Sequence, residues 1–137
     1  MAAQDISSLL KKLSPSLAEG KYYYATVEES QLMSVANYLS RIICIFREVD
    51  GLTIVFSGEI EEEMQSISQE KLSGPFALIT LRVNSSLMAV GLLAKVTGAL
   101  AKEGIAANAF SAYRHDHLLV PYEKKEAALS CLKNLQK

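Results

Sequence analysis

Apolar residues along the chain switch between two spacings, and each switch marks an element. Ile6, Leu9, Leu10 and Leu13 fall at i, i+3, i+4 and i+7, which predicts an amphipathic helix capped by Asp5 and stopped at Ser14-Pro15. The run KYYYATV from Lys21 to Val27 is rich in β-formers and predicts a strand. Residues 28–39 read as a loop leading into a short helix. Two apolar strands follow, Ile42 to Glu48 and Leu52 to Phe56, joined by Val49-Asp50-Gly51. Asp-Gly supplies the positive φ of a tight hairpin. Ser57 to Ile67 is acidic in its first turn, which suits a helix dipole, and turns Ile60, Met64 and Ile67 inward. The polar stretch from Gln69 to Gly74 ends in Gly-Pro and marks an internal boundary.

Beyond that boundary Phe76 to Val83 alternates, with Ala77, Ile79, Leu81 and Val83 on one face and Thr80 and Arg82 on the other. An Asn84-Ser85-Ser86 turn leads into a predicted helix from Ser86 to Glu103. Its inward stripe is Leu93, Val96 and Leu100, and Gly104 is the residue just past its end. Strands are predicted at Ile105 to Tyr113 and His117 to Val120, and a last helix from Glu123 to Leu135 buries Ala128, Leu129, Leu132 and Leu135. Strand, helix, strand, strand, helix thus occurs roughly twice. This order predicts an α+β chain of two ferredoxin-like units with antiparallel sheets and helices on one face. The units are expected at 1–73, with the leading helix, and at 74–137. The second counts one strand fewer, so its sheet is expected to stop short or to borrow a strand from the first half or from another subunit.

Composition narrows the function. The 137 residues are 50% hydrophobic and 21% charged, as in ordinary globular domains. A net charge of -1 provides no basic field for nucleic acid. No apolar run approaches the ~20 residues that span a bilayer, and the N-terminal MAAQDISSLLKKL lacks the pattern of a signal peptide. The two cysteines, Cys44 and Cys131, lie far apart in apolar segments and read as reduced structural thiols in a cytoplasm. Burial among aliphatics makes Cys44 a poor nucleophile. His115 and His117 are the only histidines, with no cysteine or acidic cluster beside them, so no metal and no other cofactor is expected. Asp116 suits a turn in which its side chain bonds local amides. The acidic run Glu59, Glu61, Glu62, Glu63 reads as a solvated helix face, and Tyr22 to Tyr24 as a strand with one ring in the core.

One segment carries candidate chemistry. At Asn84, Ser85, Ser86 and Gly91, helix-start amides and hydroxyls offer a place for a carboxylate, and the glycine allows close approach. On residue chemistry alone the same residues read more readily as a helix cap and a packing glycine. Asn108 and Ser111 on the following strand add hydrogen-bonding groups, Val90 and Leu92 apolar walls, and His115 a further lining group.

The segment from Ser85 to Pro121 resembles the ACT domain, in particular small bacterial tandem-ACT proteins related to the CASTOR arginine sensors. The shared features are Ser-Ser-Leu-x-x-Val-Gly-Leu (Ser85 to Leu92), a helix ending in Gly104-Ile105, and Tyr-x-His-Asp-His-(aliphatic)-x-Val-Pro (Tyr113 to Pro121). IFREVDGLTIVF in the first half resembles a hairpin of the same group. The resemblance implies a ferredoxin-like fold and regulatory, non-enzymatic binding of an amino acid or another small metabolite, usually between paired domains. A cytoplasmic homodimer is expected, since apolar sheet edges invite pairing. Two other readings stay open: an interaction module without a ligand, and a small hydrolase or lyase using His115 and Asp116.

Overall fold

The computed structural model describes residues 5–137. In chain order the elements are α1 (Ile6–Lys11), β1 (Pro15–Leu17), β2 (Tyr22–Val27), α2 (Leu32–Ala36), β3 (Ile42–Glu48), β4 (Gly51–Ser57), α3 (Glu61–Ile67), β5 (Ser73–Leu81), α4 (Leu92–Lys102), β6 (Asn108–Ser111), β7 (Asp116–Pro121) and α5 (Lys125–Asn134). They form two compact units, one of residues 20–76 and one of residues 77–137 together with the N-terminal segment through Glu19.

The 20–76 unit is a complete split βαβ. Its strands lie in the order β3-β4-β2-β5, with antiparallel β3/β4, β2/β4 and β2/β5 pairs. The predicted hairpin is present, with Glu48 opposite Gly51. Alternation sends Ala25 and Val27 of β2 and Leu52, Ile54 and Phe56 of β4 into one core, which Val35, Ile60 and Met64 close from the helices. The Ser57 hydroxyl accepts from the Glu59 amide at 3.3 Å and starts the acidic helical stretch where the sequence placed it.

The second unit draws on both ends of the chain. Its strands lie in the order β1-β5-β7-β6, and β1 pairs antiparallel with β5 through Pro15↔Leu81 and Leu17↔Ile79. The strand missing from the C-terminal half therefore comes from the N-terminal segment of the same chain. The leading helix comes with it. Leu9 and Leu13 of this segment are fully buried in one cluster with Ile79, Leu81, Val96 and Leu100. Contiguity in sequence favours 1–73 and 74–137, but burial of these two leucines and the β1 ladder attach the first 19 residues to the other unit. The Gly74-Pro75 dipeptide, which reads as a boundary, lies inside β5.

Two further expectations change. β7 starts at Asp116, one residue earlier than expected, and β6 shortens to Asn108–Ser111. Helix α4 starts at Leu92, not at Ser86, because Gly91 sits at φ +99° as its N-cap, a left-handed conformation that no helix interior admits. The inward stripe moves with it to Leu92, Val96 and Leu100, while Leu93 is half-buried. At the other end the sequence reading holds. Gly104 (φ +73°) donates its amide to Ala101 and Ile105 donates to Leu100, the paired bonds of a Schellman stop.

Candidate functional site

Strand β5 delivers the chain to Val83, which is buried, and the next eight residues form a turn instead of helix. Ser86 builds that turn: its Oγ accepts from the Met88 amide at 3.0 Å, and its carbonyl accepts from the Ala89 amide at 3.0 Å. The Gly91 carbonyl then takes the first helical bond, from the Lys95 amide at 3.0 Å. Glycine has no side chain to return to the first turn, so α4 opens with no side-chain cap and no acidic residue in that turn. Its leading amides keep their hydrogen-bonding capacity and the positive end of the helix dipole.

The first turn of α4 borders a cavity of about 140 Å³. Ser85, Ser86, Leu87 and Ala89 line it from the turn, and Gly91 to Ala94 from the helix start. The tip of the β6–β7 hairpin supplies Ser111, Ala112, His115 and Asp116. A cavity near 150 Å³ accommodates a molecule the size of benzene, so a compact ligand of a few heavy atoms fits here.

Six of the nine candidate residues line this cavity: Ser85, Ser86, Gly91, Leu92, Ser111 and His115. Asn84 and Asn108 are exposed and lie outside the lining. Val90, expected as a wall, is 84% exposed and also lies outside it. The expected capping role of the serines is corrected too, since Gly91 occupies the cap position and Ser86 bonds within its own turn. Leu93, Ala94 and Asp116 line the cavity too but are not among the ligand-binding candidates. A helix started one and a half turns too early assigns Leu93 to the core. Asp116 suits an exposed turn by composition, yet it is 9% exposed and begins β7. The period-2 pattern holds the missing signal, since Asp116, Leu118 and Val120 share one face and the latter two belong to the core.

The two histidines separate. His115 precedes β7 and lines the cavity, whereas His117 Nδ1 lies 2.9 Å from Thr80 Oγ1. Burial, reinforced by the neighbouring His115, pushes the His117 imidazole below its ordinary pKa. Among the described residues no group of three or more His, Cys, Asp or Glu is placed to hold a metal ion. Cys44 and Cys131 are free thiols, both pushed up by burial, and Cys131 also by Glu103. Among the described residues no helix is long and apolar enough to cross a membrane.

Comparison with known proteins agrees with this architecture. Two family models, both described as ACT domain, match residues 2–65 and 75–134. Among solved structures, a protein of unknown function from Vibrio cholerae, described as a possible transport protein, is 39% identical with a TM-score of 0.78, over 96% of this chain and 95% of that one. The ligand-free regulatory subunit of aspartate kinase from Thermus thermophilus is 14% identical with a TM-score of 0.71, over 90% of this chain and 97% of that one. A protein from Agrobacterium tumefaciens is 22% identical with a TM-score of 0.68, over 89% and 87%. Among curated proteins none matches. With both halves matched and each unit built on the ferredoxin-like plan, the chain belongs to the ACT-domain family and carries two such domains.

Proposed function

We propose that this protein is a non-enzymatic regulatory module that binds a small amino acid in the cavity between the 85–91 turn and the β6–β7 hairpin. One observation carries the reading: the uncapped first turn of α4 opens onto a cavity that Ser85 and Ser111 also line. An α-carboxylate there satisfies the free amides and gains from the helix dipole. The structural likeness to regulatory subunits of aspartate kinase supports a regulatory role. The finer placement, beside the CASTOR arginine sensors, rests on the Ser85-to-Leu92 and Tyr113-to-Pro121 segments. We place the protein in the cytoplasm and as a homodimer. Strand β3 is the edge of its sheet, and Ile43, Ile45 and Phe46 on it are exposed, an edge that a second copy would cover.

The test is a thermal melt with each common amino acid at millimolar concentration. A ligand at a hundred times its Kd adds about 2.7 kcal/mol, which moves the Tm of a chain this size by several degrees. Ala94→Leu fills the cavity from a helical position that tolerates leucine, and should erase the shift. No shift with any amino acid would leave the ligand-free interaction module ahead. Hydrolytic turnover lost in His115→Ala would favour the enzyme reading.

A further inference from the structure

The turn that borders the cavity needs bracing from outside itself. The bonds that shape it, from the Met88 and Ala89 amides to Ser86, lie inside the turn. Leu87, Met88 and Val90 are 61%, 83% and 84% exposed, so these side chains add little packing. Ala89 and Leu92 pack on the core cluster of the second unit, and the chain passes through Gly91 between them. A glycine at φ +99° gives α4 its left-handed entry but no side chain with which to hold it. The leading helix supplies one. A Cβ on Gly91 would lie 3.6 Å from Ile6 Cδ1 and 3.7 Å from Ile6 Cγ1, so Ile6 occupies the place beside the glycine. Ile6 opens α1, whose N-cap Asp5 accepts from the Ser8 amide at 3.1 Å. Further along, Leu9 and Leu13 are fully buried in the same cluster as Leu92, and the β1 ladder continues the attachment.

A binding wall is only as well placed as the residues packed behind it. We propose that Ile6 is a positioning residue of this site: by packing against Gly91 it holds the 85–91 turn and the first turn of α4, and it thereby couples the leading helix to ligand occupancy. The structural half of this stands by itself, and the ligand half rests on the amino-acid reading above. Local opening of α1 withdraws Ile6, so the site binds more weakly in the opened chain. Binding must then oppose that opening by the same factor, since coupling between two equilibria is reciprocal. The N-terminal helix is the element whose opening the ligand suppresses.

Amide hydrogen exchange on the full chain, with no ligand present, tests the structural half. Ile6→Ala should speed exchange of the Ala89 and Lys95 amides about fivefold more than that of Leu100, deep in α4. Leu17→Ala truncates another side chain packed on the same cluster, from β1, and should change all three rates by one common factor. Ile6→Leu, which restores the volume, should return the wild-type pattern. Titration calorimetry with each standard L-amino acid tests the ligand half. An amino acid that wild type binds should bind Ile6→Ala about tenfold more weakly and Leu17→Ala within about twofold. At saturation in wild type it should slow exchange of the Leu9 amide, which donates to the Asp5 carbonyl at 2.9 Å, by a comparable factor. Equal speeding of Ala89, Lys95 and Leu100 in Ile6→Ala overturns the proposal whatever the ligand proves to be. Unchanged affinity in Ile6→Ala, or a Leu9 rate indifferent to the bound amino acid, overturns it as well and leaves the amino-acid site standing. If no amino acid binds wild type, the amino-acid reading falls, and the exchange comparison alone decides whether Ile6 holds the turn. Should Ile6→Ala fail to fold, Ile6→Val, which removes Cδ1 alone, takes its place in the same comparison.

Discussion

The two units repeat one fold but differ at the turn that leads from the first strand into the first helix. In the 20–76 unit the turn is Glu28-Glu29-Ser30-Gln31, a single 3-10 turn that runs into the five-residue α2. Both carboxylates are engaged there, Glu28 accepting from the Ser30 hydroxyl at 3.4 Å and Glu29 pairing with Arg47. In the other unit the corresponding turn is longer, has no acidic residue in the first helical turn, and opens the eleven-residue α4 through a glycine. A short helix fronted by two acids repels an anion, whereas a longer one fronted by free amides attracts it. In the proposed reading, binding capacity therefore lies in the composition of one turn and not in the fold, which both units share.

The comparison breaks most severely if the second unit loses its N-terminal staple. Leu13→Ala removes a side chain with 0% exposure from the cluster formed with Ile79, Leu81 and Val96. Such a truncation costs about 2–5 kcal/mol. Urea denaturation should show that loss. A cost under about 1 kcal/mol would mean that the first 19 residues are dispensable to this unit, as the expected 1–73 division requires.

Glycines sharpen the contrast at the next level. A Cβ on Gly91 would meet Ile6 Cδ1 at an ordinary 3.6 Å, so space is no obstacle, but φ +99° is. Gly91→Ala should destabilise by about 1–2 kcal/mol. Gly98 lies in the interior of α4, where a Cβ would meet nothing within 4 Å, and Gly98→Ala should instead gain about 0.5–1 kcal/mol. Opposite signs from two glycines seven residues apart would locate the helix start at Leu92. Equal signs would place it earlier.

A smaller effect comes from importing the acidic turn of the first unit. Ser85→Glu brings a carboxylate to the cavity lining and should weaken carboxylate binding by about 0.3–1 kcal/mol, the scale of an exposed charge acting on a helix terminus. Isothermal titration with whichever amino acid stabilises the wild type measures it. Unchanged affinity would mean that the α4 amides are not the anion site.

Most of the fold is legible in the sequence because its signals are local. The Asp50-Gly51 turn, the amphipathic spacing of α1 and the Gly104 stop are each decided by a few neighbouring residues. The rest depends on distant partners or on a glycine's backbone angle. Strand β1 is three residues long, Pro-Ser-Leu, too short for any period, and exists through its ladder with β5. The stretch Leu87 to Leu93 is apolar enough to read as helix, and only the left-handed angle at Gly91 separates turn from helix. For the site, Ser85, Ser86 and Ser111 stand out as hydroxyls beside a helix start, but the inward face of Asp116 is masked by a composition that suits turns.

The last and smallest effect tests the outer side of β7. Burial and the nearby charge of His115 both disfavour the protonated form of His117, and Arg82 adds to them against the opposing pull of Asp116. The folded-state pKa therefore lies below the ordinary value near 6.5, and the unfolded chain takes up the proton first as pH falls. Above that value His117 adds no pH dependence. Below it stability declines with falling pH until the folded-state pKa is also passed. Urea midpoints from pH 7 to pH 5, a window above most carboxylate titrations, should thus fall in wild type and fall less in His117→Gln, which keeps a polar partner for Thr80. His115→Gln removes one of the charges that push His117 down, and should shrink the same slope without abolishing it. Identical slopes in wild type and His117→Gln would show that the half-buried imidazole is not what the fold holds neutral.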